Sequence, residues 1–573
     1  MPSVGLAQTP VAAIELSSFG AKPNDPSLNI REALQQALAA LAGKGGGTLH
    51  IAAGQYYVDF PDVASDVDPK DPASQAVKRQ KNLSRSKLIL VPPKVGIVGD
   101  NGPDGAPSTV IHWKSSGFPV LSIVNADHAA IRNIGFVYDG LQPHFFPWAQ
   151  EDYLQAVGVP ARWLGGPYEI SAVIYEIGSD GVQIENLTFT SSHRDNEHTF
   201  AFGIVAKGKS PVPIPARNSL AALPIGGRVP GGGLAGCASG NVFRKIAFSR
   251  FVMGILASAQ CRPVFESITG NDRGSWYRSF DPTGERSGTI QNIGPPGHLI
   301  YITFQDVYDV LKSAAHPEGE MSLNHSVRNE NVTLRDLSEG PDTFSNYNSL
   351  GTLALKSIDG GSVDGIRSQH PEGLIQSMAD VHNLVLRNLT WTSDRDLCSE
   401  QDSKMNCDTP AISLVPGPDL VKQFNERLTF SEITLRSPRW AAMFQITSAP
   451  SSAPPGATQS GHIEVSGLNV ECSPAMHAGQ NGPKGIITIV RADLVHFSNV
   501  TYTPVIQQTP ASAVNYAALI DKGSTHTTID LAIKRAALLP DNSPVYRSLV
   551  VSHQPNDELT GEDGNVITRR FVK

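Results

Sequence analysis

The densest run of chemistry-bearing side chains lies between Asn271 and Arg286. Its sixteen residues hold three arginines (Arg273, Arg278 and Arg286), three acids (Asp272, Asp281 and Glu285), Trp276 and Tyr277. Guanidinium forks bind carboxylates bidentately, aromatic faces stack on sugar rings, and carboxyl groups trade protons. A solvated loop laced with surface ion pairs has the same composition. Just downstream, Pro295-Pro296-Gly297 leads to His298 at the mouth of the apolar run Leu299–Ile302. That position suits a general base or acid, or a hydrogen-bonded structural histidine. His-Pro-Glu-Gly occurs at 316–319 and again at 370–373. A shared Pro/Gly turn is the favoured reading of the pair; the functional one sets His316 or His370 beside a substrate.

Other candidates are sparser. His193 to His198 is rich in ionisable groups but has no metal-ligand spacing, so a polar loop is the better reading. Lys356 and Asp359, near Asp364, fall in a further polar turn. Residues 141–178 carry Phe145, Phe146, Trp148, Tyr153, Trp163 and Tyr168. Trp148 and Trp163 are candidates for a binding subsite, and a satellite core under a long loop is the alternative.

These residues need a scaffold, and the sequence repeats one. A six-residue signature reads IRNIGF at Ile131, IENLTF at Ile184, FRKIAF at Phe243 and FESITG at Phe265. It continues as NENVTL at Asn329, LRNLTW at Leu386, FSEITL at Phe430, VSGLNV at Val465 and FSNVTY at Phe497. Starts are separated by 53, 59, 22, 64, 57, 44, 35 and 32 residues. The shortest interval is about one coil of a parallel β-helix; longer ones are two coils, or one coil with an inserted loop. Each unit is too small to bury its own apolar face, and stacking buries a continuous core. Asn recurs in third position at 133, 186, 331, 388 and 499, where it favours a turn and can hydrogen-bond along the stack. The Asn-x-Thr triplets this creates read as turn chemistry, not glycosylation sites. A sandwich of this length is unusual, and propeller blades repeat more regularly.

Upstream, Ile30, Ala33, Leu34, Ala37, Leu38 and Leu41 form one helical stripe. Asn29 and Glu32 have capping-box spacing, and Gly43 with Gly45 to Gly47 ends the helix. This helix, over 29–42, is expected to cap the open end of the core. The expected architecture is therefore all-β: one single-stranded right-handed parallel β-helix over 16–570, with loop insertions at about 59–87, 141–178 and 207–240. Residues 1–15 read as a disordered terminus or the remnant of a processed leader.

Composition agrees. The 573 residues include 52 Gly and 42 Pro, about one in six, and only 17% are charged, against a usual ~25%. That mix disfavours helical bundles, coiled coils and charged disordered chains. The net charge of -8 carries no basic block for nucleic acid, and no apolar run has membrane-spanning length. The five cysteines show no zinc spacing. Cys398 and Cys407 bracket a polar loop and could pair in an oxidising compartment; buried or unpaired thiols are the alternative.

The opening carries a resemblance. Phe19-Gly20-Ala21-Lys22, the helix, Gly45–Leu49 and Ala53–Val58 resemble the start of the pectate-lyase-like superfamily of right-handed parallel β-helices, and Leu88–Pro92 with Gly96–Asp100 match its next coil. The resemblance implies a secreted or periplasmic carbohydrate-active enzyme, a polysaccharide or oligosaccharide partner, and a monomer or homotrimer. It implies no required cofactor; Ca²⁺ fits such folds, yet no loop here has its oxygen-ligand pattern. The catalytic motifs of polygalacturonases, alginate epimerases and the main pectate lyase family are absent.

Three activities remain open. A lyase would use Arg273 to neutralise a uronate carboxylate, His298 or His370 as base and Tyr277 as acid, with Trp276, Arg278, Lys356, Trp148 and Trp163 binding sugar. A glycoside hydrolase or transglycosylase would pair two of Asp272, Asp281 and Glu285. A non-catalytic glycan-binding solenoid would need only the aromatic and arginine groove.

Overall fold

The structure is a computed structural model. It describes residues 12–572 except 61–83, 115–118, 141–152, 154–155, 159–171, 193–199, 210–235, 274–296, 304, 312–319, 342–350, 372, 394–409, 416–423, 438–442, 448–459, 473–484, 506–515, 521–523, 535–558 and 561–564. Trp148, Trp163, His193 to His198, Trp276, Tyr277, Arg278, Asp281, Glu285, His316, Cys398 and Cys407 lie outside the described residues.

The signature segments become strands that pair in parallel, coil upon coil. Ile131, Ile184, Phe243 and Phe265 stand side by side, as do Ile134, Leu187, Ile246 and Ile268. The third residue of each copy has a positive φ: 59° at Asn133, 55° at Asn186, 53° at Lys245, 54° at Ser267 and 55° at Asn388. One left-handed residue shifts the strand's two-residue alternation. Positions one, four and six therefore all point inward, and Ile131, Ile134 and Phe136 are each fully buried. The bend explains the spacing of the signature. Stacking along the coil axis brings Phe136, Phe189 and Phe248 ring on ring at 5.2 and 5.0 Å.

The register corrects two details of the repeat. NENVTL is not in line with its neighbours: Phe265 pairs with Leu334, so the copy in that coil is Leu334–Glu339, with Asp336 at the bend. The next copy is Val363–Ser368, where Gly365 holds the bend. Neither has the Asn or the Thr that marks IENLTF, LRNLTW and FSNVTY.

A second sheet runs beside the first. It stacks Leu121–Val124, Ala172–Ile177, Phe200–Lys207, the end of Val242–Ser258, Ile300–Thr303 and the start of Leu353–Ser368. It goes on through the start of Ile375–Thr392, Ile412–Leu414, Phe444–Thr447, Gly485–Val490 and Tyr516–Ile520. The stretch 141–178 thus ends in a core strand, not a loop. All six residues of Ala172–Ile177 are buried, so its sequence showed no alternation.

Between the sheets, buried amides satisfy backbone groups at the corners. Asn425 accepts from the Val381 amide and donates to the carbonyls of Met378 and Val415; Asn329 and Asn565 play similar parts. The helix Arg31–Gly43 buries Ala33, Leu34, Ala37, Leu38 and Leu41 against the end of the core, as expected. Its cap is Ile30 rather than Asn29, although Asn29 still accepts from the Arg31 amide. Cys237 is joined to Cys261, a pair the spacing did not suggest, and Cys472 is a buried thiol. No helix among the described residues is long and apolar enough to cross a membrane.

Left-handed φ costs an ordinary residue about 1 kcal/mol and Asn less. Asn substituted at the exposed bend residues Lys245 and Glu432 is expected to raise the thermal midpoint. Asn425→Ala, which strands buried backbone groups, is expected to lose about 2 kcal/mol in denaturant titration.

Candidate functional site

One file of the core is interrupted. Reading along the stack, the inward position runs Phe136, Phe189, Phe248, Gly270, Glu339, Ser368, Trp391 and Leu435. Three polar or vacant positions replace large apolar ones in the middle coils. Arg273 enters there. Its side chain is 0% exposed; Nε lies 3.2 Å from Glu339 Oε1, and a terminal nitrogen donates to the carbonyls of Gly297 (2.6 Å) and Gly351 (3.3 Å).

His298 joins the same cluster. Its Nδ1 lies 2.6 Å from the Gly351 carbonyl. A carbonyl only accepts, so Nδ1 carries the hydrogen and Nε2 the lone pair. Burial, reinforced by the Arg273 charge, pushes its pKa down to about 3. Burial pushes the Glu339 carboxyl up, against the pull of Arg273. Thr352 Oγ1 and Ser368 Oγ are 2.6 Å apart; Ser368 Oγ accepts from the His370 amide, and the His370 carbonyl accepts from the Trp391 indole at 2.7 Å.

The structure therefore gathers Arg273, His298 and His370 into one corner where two sheets meet. All three are buried. Arg273 is engaged by Glu339 and two carbonyls inside the corner rather than presented on a surface. Asp272, at φ 50°, sits at the same edge and is half-buried.

The outward face of the second sheet lies next to this corner. Ile300 and Ile302 point into the core, which turns Tyr301 outward. The Tyr301 ring is 5.5 Å from that of His298. Lys356 donates to Tyr301 Oη at 3.2 Å, with Nζ 5.2 Å from the ring centroid. Both are half-buried, so this pair is the part of the assembly that solvent reaches. Sequence reasoning named Lys356 but missed Tyr301 and Glu339. The alternation around Tyr301 was a usable signal; Glu339 needed the register.

A second polar knot closes the far end of the Lys356 strand segment. Asp380 accepts from Ser357 Oγ at 2.8 Å, pairs with Arg328, and lies 3.2 Å from His382 Nε2. Elsewhere, His50 is held between Glu15 (2.7 Å) and Asp100 (2.8 Å), whose hydrogen bonds raise its pKa.

No protein-family model and no curated protein matches the sequence. Among solved structures, the chain is similar to the pre-mature gene product 12 of bacteriophage phi29. The TM-score is 0.51 at 10% identity, over 92% of this chain and 53% of that one. It is also similar to the A-module of Azotobacter vinelandii mannuronan C-5 epimerase AlgE6 (TM-score 0.41, 11% identity, 89% of this chain and 98% of that one). A third is a tailspike protein mutant of E. coli bacteriophage HK620 in complex with a hexasaccharide (TM-score 0.42, 11% identity, 94% and 77%). At these identities the likeness concerns the fold.

The two histidine environments act in opposite directions. His298 has a depressed folded-state pKa, so its contribution is complete above pH 6.5 and is lost as pH falls towards about 3. His50 has a raised one, so its contribution is present below the unfolded value and lost as pH rises through the folded one. His298→Asn, which keeps a donor for Gly351, is expected to move the acid-unfolding midpoint to lower pH in circular dichroism. His50→Asn is expected to lower stability at pH 5 more than at pH 8.

Proposed function

We propose that the chain is a right-handed parallel β-helix, folded as one unit, that binds a polysaccharide along the outward face of its second sheet and cleaves it by β-elimination at a uronate. The observation that carries this reading is the Lys356–Tyr301 pair, standing on that face beside the buried Arg273–Glu339–His298 corner. The resemblance of residues 15–100 to carbohydrate-active β-helices supports the substrate class.

Elimination needs three parts. A cation beside the uronate carboxylate makes the C5 proton easier to remove; Lys356 supplies it from the solvent-reached side. A base takes that proton as the C4–O bond breaks and the C4=C5 double bond forms. Tyr301 Oη is the group in position: having released its own proton to solvent it acts as the phenolate, takes the C5 proton and is left as the neutral phenol. An acid then protonates the leaving oxygen, and Tyr277, from the segment that follows Arg273, remains the candidate. Arg273 and His298 act as positioning residues: both fix the Gly351 carbonyl, and the His298 ring lies beside that of Tyr301. Secretion, or a periplasmic location, is supported by the Cys237–Cys261 pair.

Incubation with a uronate-containing glycan panel is expected to yield unsaturated ends, seen as a gain in ultraviolet absorbance. Tyr301→Phe and Lys356→Ala are each expected to lower kcat/KM by about 100-fold with little change in thermal midpoint. New reducing ends without the absorbance gain would assign a hydrolase instead.

A further inference from the structure

We infer that the outward face of the first sheet, beyond its bend, is a second binding face for the polymer, on which Arg367 takes a uronate carboxylate among hydroxyl and amide side chains. It lies apart from the Lys356–Tyr301 pair and rests on the proposed function only for the class of polymer.

Along this face the register sets Thr269, Ser338, Arg367, Thr390, Thr434 and Asn469 side by side in successive coils. None of the six is buried, and Thr269, Arg367, Thr434 and Asn469 are exposed. Alternate residues face the core: Ile366 and Ser368, on either side of Arg367, are 0% and 2% exposed. The guanidinium is therefore fixed outward, because a slip of one residue would bury it.

Charge sets this face apart from its neighbour. Three residues back, across the bend, Arg335 meets Glu266 at 2.5 Å and Arg387 meets Asp364 at 2.7 Å. Arg436, two residues beyond Thr434, has Glu471 at 3.5 Å. Arg367 has only Ser338 and Thr390 beside it in the adjoining coils. Among the described residues no acid lies within 4 Å of it, and its side chain makes no hydrogen bond. Asp364 is already held by Arg387 and by Asn388 at 2.6 Å.

A guanidinium fork takes a carboxylate bidentately. Around it, polar side chains recur at the coil spacing of about 4.8 Å. The ligand that suits both is a chain of regularly spaced hydroxyls that carries acids, which is a uronate polysaccharide. An added peptide strand would instead pair through its backbone at a sheet edge. Ser368, next to Arg367, belongs to the buried corner through its contact with Thr352. Polymer held on this face therefore lies on one side of that corner, and the second sheet lies on the other. Such tethering raises the local concentration of polymer at the reacting pair.

The test is affinity electrophoresis through gels that hold polygalacturonate, alginate or dextran, with Tyr301→Phe protein so that the polymer survives. Both uronate gels are expected to retard the protein, and dextran is not. In that background Arg367→Ala is expected to weaken retardation about tenfold. Thr390→Asp, which supplies the missing acid from within the file, is expected to do the same. Retardation that either substitution leaves unchanged, or that is equal in dextran, would overturn the second face; unsaturated ends made by the native protein would then leave the proposed elimination standing. Retardation that depends on Arg367, with no unsaturated ends from the native protein, would support the second face and overturn the elimination.

Discussion

Parallel stacking in register places each side chain beside its counterparts in the coils above and below, about 4.8 Å away. Every position must therefore tolerate its neighbours along the file. Aromatic residues meet this by stacking, as Phe243 does on Phe265 with rings 4.9 Å apart and nearly parallel. Charged residues cannot repeat, and on the outward side of the first sheet they alternate: Arg132, Glu185, Arg244, Glu266, Arg335, Asp364 and Arg387 stand in successive coils. Arg244 Nε lies 2.9 Å from Glu266, and Arg387 2.7 Å from Asp364. Each exposed pair contributes little, but seven like charges in a row would oppose stacking outright.

The same rule makes an interruption informative. An apolar file can continue indefinitely, and Phe248 and Trp391 show that this one has room for large rings on either side of the gap. At Gly270 the space is taken by Phe251 and Leu299, which a side chain there would meet at 3.1 and 2.7 Å. At Glu339 it is taken by an ion pair. Replacing a buried pair with well-packed apolar groups is often neutral or stabilising, whereas removing one partner is strongly destabilising. Stacking gives no reason for Arg273 and Glu339. In the structure Arg273 holds the Gly297 and Gly351 carbonyls, the points at which two chain segments enter the second sheet, and Glu339 pairs with the Arg273 guanidinium.

The fold was largely legible because the bend residue sets a one-dimensional pattern. Apolar side chains at positions one, four and six can be read without any contact information, and Asn133, Asn186, Asn388 and Asn499 advertise the bend. Where Asp336 or Gly365 does the same job, the copy was misplaced or missed. The site was legible only as composition. Arg273, His298, His370 and Lys356 were noticed for their chemistry, but nothing local says that Arg273 and His298 are buried. Burial there follows from Glu339, sixty-six residues beyond Arg273, and pairing over that distance depends on the register that sets Gly270 beside Glu339. Cys237 and Cys261 were unreadable for a related reason: their proximity comes from Ala238–Ser239 pairing with Gln260–Cys261.

A strand has two faces and one register, which ties the outward pair to the core more firmly than the surrounding segments could. Ile300 pairs with Ile255 and Leu353, and Ile302 with Ala257 and Leu355, all facing inward. That fixes Tyr301 outward, because a slip of one residue would bury the phenol and expose two isoleucines. Lys356 is placed by the same strand that carries Leu353 and Leu355. The corner beneath adds a second constraint, since Leu299 and Ile300 both donate to the Thr352 carbonyl next to the Gly351 group that Arg273 and His298 hold. The distance between Lys356 Nζ and Tyr301 Oη is thus set by core packing on one side and by a buried charge pair on the other. A change in either would be felt at the surface pair without touching it.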